Sequence, residues 1–491
     1  MSSVIIIGSG FGGSIAAKRF TEAGHQVTVL ELGEDWRDPS KAQQSQDPRF
    51  LFRLLRNYPI DPLRTKPNLT VTLGMGLGGG SLVYSGIHLR APKHAFETWP
   101  GGFTRERLDP YYVRVEQRLG ISPMIDSFEF PRPKAFSKGA AAAGLPPPVP
   151  MPLALRGCTR CGWCVPLCAW GKKVTMQHSY LSDAAATGKL TIATQRKVAW
   201  IARTGPRYRV GFWRTDHVVR DYHRVNSGDV AHLDADIVVV ACGAIESPAL
   251  LQRSLTVELP SGVERIRAFP SEHLGNGIDG TGDFVQGGFV PERVDGFKGA
   301  VMMTMIELGD YVLEDLSALP VAAVTLGTQL PGITKSWGRS YKQSFHDYGA
   351  HMLGIAIVGK QGPGTERNIS VHDDHGNAVV STTAYAPPIG SIDAAHSIIR
   401  ALGGQVAQTP WELSGTAITV HPTGGCAMGD TQDHVVRAQD LQLQANPGVY
   451  VIDGSVLPGN PMRNPSHTIA AIAERALDVI LGARAAERWT D

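Results

Sequence analysis

No stretch of this 491-residue chain is apolar for long enough to cross a bilayer, so a transmembrane anchor is not expected. A basic leader region is missing as well. Met1-Ser2-Ser3 runs straight into an apolar segment, which gives the expectation of a cytoplasmic protein, from a bacterium, rather than a secreted one. Excess charge of either sign is absent: 47 Lys and Arg face 45 Asp and Glu, for a net of +2. That balance supplies no footprint for nucleic acid or an anionic membrane surface. Cysteine is scarce, six in all, and four of the six crowd between positions 158 and 168. In a reducing compartment this favours metal ligation or free thiols over a disulfide framework. What remains is an ordinary globular composition, 43% hydrophobic and 19% charged, on a length that suggests two closely packed domains. Glycine is the exception. Many of its 55 residues are clustered, as in loops whose backbone approaches a ligand.

The first cluster follows a buried-strand pattern. Val4-Ile5-Ile6-Ile7 is a continuous apolar run, expected for a parallel strand covered on both faces. Gly8-Ser9-Gly10-Phe11-Gly12-Gly13 comes next and fits G-x-G-x-x-G. A helical pattern then puts Ala16, Ala17 and Phe20 on one face and closes at Gly24. His25 to Leu30 reads as a second strand that ends at Glu31. In a dinucleotide site Gly8 allows the tight turn, Gly10 admits a pyrophosphate, and Gly13 lets helix and strand pack closely. The helix start at Phe11 and Gly12 offers free N–H groups and the positive end of a dipole. Glu31 can accept hydrogen bonds from an adenosine ribose, and its acidity argues against a 2′-phosphate. Strand, loop, helix, strand and acid in this order predict dinucleotide binding, with NAD and FAD both open because they share the ADP half.

Two more segments bear on that choice. Gly74, Gly76, Gly78, Gly79 and Gly80 crowd ahead of Ser81-Leu82-Val83-Tyr84, as in a loop wrapped against an extended cofactor. Near the end, Val420-His421-Pro422-Thr423-Gly424-Gly425-Cys426 precedes a strand from Gly448 to Ile452. Asp453-Gly454-Ser455, Leu457-Pro458-Gly459-Asn460 and Asn464-Pro465 follow, then a helix from Ser466 to Leu481 with Ile469, Ile472, Ala473, Ala476 and Ile480 on its apolar side. Together these motifs resemble the glucose–methanol–choline (GMC) oxidoreductases, and most closely their cholesterol-oxidase-like bacterial branch. The matches run from Val4 to Ile480 around a variable middle.

The resemblance implies an α/β protein in which one FAD sits on a Rossmann-type domain, joined to an α+β substrate domain built on an antiparallel sheet. The first domain would comprise 1–274 and 406–491, the second 275–405. Carried over by position, Gly8, Gly10, Phe11, Gly12, Gly13 and Glu31 would hold the ADP half. Gly74, Gly78, Gly79 and Ser81 would line the pyrophosphate and isoalloxazine side, and Val198 would meet adenine through its backbone. Ala241 and Gly243 belong to the returning strand of the FAD domain. Asp453 and Gly454 would meet the flavin phosphate and ribityl region, and Asn464 and Pro465 would also contact the cofactor. His421 and Asn464 match the two residues that face the flavin. An imidazole can take the proton of an alcohol while its hydride goes to flavin N5, and an amide can fix the alcohol's orientation. His467 is the rival to Asn464, but it falls inside the helix. Tyr84 departs from the branch, which commonly has an asparagine there. The implied substrate is a small-molecule alcohol, steroid-like or otherwise apolar, with a sugar as the alternative. Oxygen and another electron acceptor both stay open, and a nicotinamide-dependent dehydrogenase is disfavoured by the tail motif.

Cys158, Cys161, Cys164 and Cys168 have the spacing of a bacterial ferredoxin motif. Ala169 replaces the usual proline, and no second set exists for the fourth cysteine to serve. A compact thiol loop covering the flavin is therefore preferred, with an iron–sulfur cluster, in a flavin/iron–sulfur redox protein, as the alternative. Pro146-Pro147-Pro148, Pro150 and Pro152 read as a stiff connector. Beyond it, 284–290, 301–306, 321–326 and 351–358 read as strands, and 368–380 as a hairpin turning at Asp374-His375-Gly376-Asn377. Ser391 to Leu402 reads as a helix capped by Ser391 and stopped by Gly403. Met302, Met303, Met305 and Met352 are assigned to core before pocket wall. The His372-Asp373-Asp374-His375 group is assigned to a solvated turn before a metal site. No second carboxylate base is recognisable in this region.

Overall fold

The run Val4–Ile7 is buried on both faces because it lies at the centre of a parallel sheet. In a computed structural model, which describes residues 2–44, 51–58, 68–215, 230–270, 272–317, 338–407 and 416–482, the strand Ser3–Ile7 pairs with Gln26–Leu30 on one side and Ile237–Val240 on the other. Leu190–Ala193 and Val449–Val451 complete five strands, every pair parallel. The helix Phe11–Glu22 crosses between the first two strands, and the last helix, Ser466–Ile480, packs beside it. Both are buried through alanines and isoleucines at helical spacing. This is the Rossmann-type arrangement expected.

Glycine sets how closely these pieces meet. A Cβ on Gly12 would lie 1.7 Å from the Ile452 carbonyl oxygen, and one on Gly13 would lie 2.1 Å from the Gly8 carbonyl oxygen. Neither distance is tolerable for carbon against oxygen, so the helix start can contact the tail strand only without side chains.

The second layer is a six-stranded antiparallel sheet in the order 405–406, 284–289, 352–359, 311–316, 302–307 and 149–150. The helices Pro131–Ala142 and Ser391–Ala401 cover one face through Ala135, Phe136, Ala140, Ile398 and Ile399. Its other face turns toward the parallel sheet. Three expectations change here. The proline-rich segment is no connector: Val149–Pro150 is the edge strand, where a residue without N–H is tolerated. Ser391 does not cap its helix, since its hydroxyl donates to Pro388 O and Gly390, at φ 72°, precedes the first turn. Tyr311–Leu316 is a strand that sequence pattern missed, because Glu314-Asp315 breaks its apolar run. The expected strand at 321–326 lies outside the described residues. The hairpin forms as expected, with Ile369–Asp374 paired to Asn377–Thr382. Among the described residues no helix is long and apolar enough to cross a membrane.

Asp315 points to the helix-covered face and fixes this sheet. It accepts from Arg132 Nε at 3.0 Å and from the backbone of Met303 and Thr304 at 2.7 and 2.6 Å, with both side chains wholly buried. Asp315→Ala would strand the Arg132 guanidinium in the core. We expect a loss of about 3–5 kcal/mol in urea unfolding; a loss under about 1 kcal/mol would mean that the pair does not brace the sheet.

Candidate active site

The glycine loop, the tail motif and the open face of the antiparallel sheet enclose a cavity of about 580 Å³. Gly8, Gly10, Phe11, Gly12, Glu31, Gly74, Gly79, Val198, Ala241, Gly243, Asp453, Gly454, Asn464 and Pro465 line it. Gly13, Gly78 and Ser81 stand behind this wall. Gly78 N donates to Ser9 Oγ at 2.9 Å, while Ser81 Oγ donates to Gly78 O and accepts from Met176 N. These three shape the loops that face the cavity.

The wall suits an extended dinucleotide. Gly10 has an ordinary φ of −66°, and a Cβ there would meet no protein atom within 4 Å. Neither conformation nor packing requires glycine at this point, so the space beside the helix start belongs to a ligand. The helix N-terminus supplies N–H groups for phosphate oxygens. Glu31 is held in the wall by Ser9 N, Ser9 Oγ and Gly33 N, at 3.0, 2.5 and 2.8 Å. Asp453 serves the scaffold with its side chain, accepting from Gly243 N, Ser247 Oγ, Ser455 N and Ser455 Oγ, which leaves its backbone for the cavity. Near Val198, Lys197 and Arg56 pair with Glu246 at 2.8 and 2.6 Å. Against the effect of burial, those cations hold the Glu246 carboxyl down to about 2.

His421 and Asn464 line the same cavity. His421 Nδ1 is 2.8 Å from Asp283 Oδ1, on the segment that leads into the strand Phe284–Phe289. Asp283 also accepts from Thr281 Oγ1, Thr419 Oγ1 and Val420 N, so its orientation is fixed. Nδ1 therefore carries the proton and Nε2 is left as the acceptor. Burial lowers the affinity of His421 for a proton, but Asp283 reverses this and the net shift is upward. Asn464 is buried, and its Oδ1 has no partner among the described residues. His467 is not part of the site. It is wholly buried between Tyr112 and His88, its Nε2 3.3 Å from Tyr112 O, and burial drives its pKa to about 4.

Sequence reasoning missed Asp283 and Glu314. Glu314 is fully buried in the sheet face over the cavity, with neither carboxylate oxygen partnered. Its signal was an acid inside an apolar strand. Asp283 left only a turn residue in Thr281-Gly282-Asp283. Of the four methionines singled out, Met302 alone lines the cavity, while Met303 and Met305 are core. Tyr84 presents its ring to the cavity and donates its hydroxyl to Val174 O at 2.5 Å. Val165 reaches the cavity from the cysteine loop. All four loop cysteines are free, and no three Cys, His, Asp or Glu among the described residues are grouped to hold a metal. The loop is tied down by Lys173, wholly buried, which donates to Leu82 O, Tyr84 O and Cys164 O. His375, at the hairpin turn, is exposed.

Comparison with known proteins agrees with this geometry. Two family models, both described as GMC oxidoreductase, match residues 3–257 and 403–473. A cholesterol oxidase of Mycobacterium tuberculosis is 26% identical over 96% of this chain and 90% of its own. Paromamine 6'-oxidase of Streptomyces fradiae is also 26% identical, over 98% and 91%, and 2-methyl-1,2-propanediol dehydrogenase of Mycolicibacterium austroafricanum is 23% identical, over 98% and 95%. The solved structure of pyridoxine 4-oxidase from Mesorbium loti has the same fold, with TM-score 0.68 at 19% identity, covering 98% of this chain and 99% of that one.

The Asp283–His421 contact makes a prediction about proton affinity. Asp283→Asn removes the charge that raises the His421 pKa, so its titration midpoint should fall when followed by NMR of labelled histidine. An unmoved midpoint would show that the pair is not electrostatically coupled.

Proposed function

Because the chain belongs to the GMC oxidoreductases, FAD-dependent enzymes that act on alcohols, we propose that it oxidises an apolar alcohol to a carbonyl, with His421 as the proton acceptor and Asn464 as the group that orients the hydroxyl. The observation that carries this reading is that His421, its Asp283 partner and the unpartnered Asn464 amide line the same cavity as the glycine loop. Bound FAD supplies the acceptor for the hydride that leaves the alcohol carbon. Gly8, Gly10, Phe11, Gly12, Glu31 and Val198 would hold its ADP half, with Gly74, Gly79, Gly454 and Pro465 toward the flavin.

His421 Nε2 takes the hydroxyl proton, and Asp283 stabilises the imidazolium this produces while keeping the ring from turning. Asn464 selects one rotamer of the alcohol, because its buried amide is satisfied only when the hydroxyl comes to it. Phe284, Val285, Met302, Ala356, Val358 and Ile418 add hydrocarbon to the cavity wall, which excludes water and favours an apolar substrate. The similarity to cholesterol oxidases, at 26% identity, supports a steroid-like hydroxyl within that class. Oxygen or a second acceptor then receives the electrons.

The test is the visible spectrum of the purified protein, followed anaerobically during addition of alcohols. A yellow flavin spectrum that bleaches with an apolar alcohol is the expected result, whereas protein that is colourless and takes up no added FAD would sink the reading. His421→Ala should lower kcat by about 10²–10⁴-fold while the flavin bands stay in place. Retained turnover in that variant would remove His421 from the chemistry.

A further inference from the structure

The turn before Asp283 holds a residue in a conformation that its side chain disfavours. Thr281, between Gly280 and Gly282, adopts φ 53°, and it is the one β-branched residue at positive φ among the described residues. A β-branched side chain in the left-handed region is strained, and glycine would fill the position without that cost. The turn itself is held by the backbone. Thr281 N donates to Asp279 Oδ1 at 3.1 Å, and Gly359 N donates to Thr281 O at 2.8 Å. Neither bond needs a side chain at 281, so threonine adds over glycine only a methyl group and a hydroxyl. Thr281 is 0% exposed, and its hydroxyl donates to Asp283 Oδ1 at 2.8 Å. The same oxygen receives His421 Nδ1, also at 2.8 Å.

A donor at that oxygen can aim the carboxylate or draw on its charge. The aim is set without it, because Asp283 Oδ2 accepts from Val420 N and Thr419 Oγ1, each at 3.0 Å. Charge is what remains. A carboxylate oxygen that already accepts one hydrogen bond attracts a second proton less. This matters because His421 can accept a proton only while neutral, and Asp283 favours the protonated ring. The other ionisable groups acting here are Glu314 on His421, Tyr385 on Asp283 and Asp279 on Tyr385. Glu314 has no hydrogen-bond partner among the described residues, and the Tyr385 hydroxyl donates to Gly280 O. Thr281 is thus the donor that competes with His421 for Oδ1.

We propose that Thr281 is a positioning residue for the reaction, whose hydroxyl shares Asp283 Oδ1 with His421 so that Asp283 holds the imidazole without keeping it protonated. This rests on the reading of His421 as the proton acceptor in alcohol oxidation. The strained turn is retained because it delivers that hydroxyl to Oδ1.

The experiment follows His421 by NMR of labelled histidine in the FAD-loaded protein without substrate, its signal assigned by loss in His421→Ala. Thr281→Val keeps the shape and removes the hydroxyl. Thr281→Gly removes the hydroxyl and relaxes the turn, so it reads the effect even where Thr281→Val does not fold. Thr281→Ser retains the hydroxyl. The titration midpoint should rise in Thr281→Val and Thr281→Gly, opposite in direction to Asp283→Asn, and Thr281→Ser should restore it. A higher midpoint leaves less neutral imidazole at a given pH, so the acid limb of the kcat profile should move to higher pH in the same two variants. On that limb kcat should fall by about threefold to tenfold and recover in alkali, with KM little changed. A midpoint that stays or falls in both hydroxyl-free variants overturns the proposal. So does an equal rise in Thr281→Ser, which would assign the effect to packing. Bleaching by alcohols with no midpoint shift removes this proposal and leaves alcohol oxidation standing. A raised midpoint without any bleaching keeps the Thr281 coupling and sinks the reading of the site.

Discussion

Everything at the site depends on how closely three backbone segments can meet at the start of the first helix. Gly12 lies against the Ile452 carbonyl, Gly13 against Gly8, and Gly8 against Ala241. A methyl group at any of the three would overlap a carbonyl oxygen. Since Ile452 runs directly into Asp453 and Gly454, the same contact that seats the helix also aligns the tail motif with the glycine loop. The helix start, the return of the central strands and the C-terminal segment thus share one origin, and the cavity is measured from it.

The two sheets have different duties toward that cavity. The parallel sheet brings strand ends and a helix N-terminus to one edge, which is where an α/β sheet binds ligands. The antiparallel sheet offers a face, and its alternation sends Glu314 toward the cavity and Asp315 toward the covering helices. The cost of Asp315 is met by Arg132 and two backbone N–H groups. Glu314 has no such compensation. Burying a polar group unpaired costs stability, and proteins tolerate this mainly where function uses the group.

Asp283 and Glu314 form a pair of contrasts in the cavity wall. Four donors hold Asp283 in place and one of them is the His421 imidazole, whereas neither carboxylate oxygen of Glu314 has a partner among the described residues. Environment rather than residue type separates their roles, one keeping His421 oriented and basic, the other kept protonated. The buried Lys173 does related work behind the wall. It joins the cysteine loop to the glycine loop through three carbonyls.

The sequence by itself determined what is local. The strand Ser3–Ile7, the glycine turn, the helix Phe11–Glu22 and the strand Gln26–Leu30 were legible because consecutive residues encode their period and punctuation. The final helix was legible for the same reason, whereas His421 and Asn464 were picked out by their motifs' resemblance to the family. Tertiary structure alone decided what depends on distant partners. Asp283 and His421 are 138 positions apart, so no spacing rule could join them. The strand Tyr311–Leu316 was hidden because its two acids look like loop residues until Arg132, 183 positions away, and the cavity account for them. Val149–Pro150 became a strand only because Thr304 and Met305 supplied an edge. Local pattern reports which conformations a segment favours. Which charges are satisfied, and by what, is settled when the sheets close on each other.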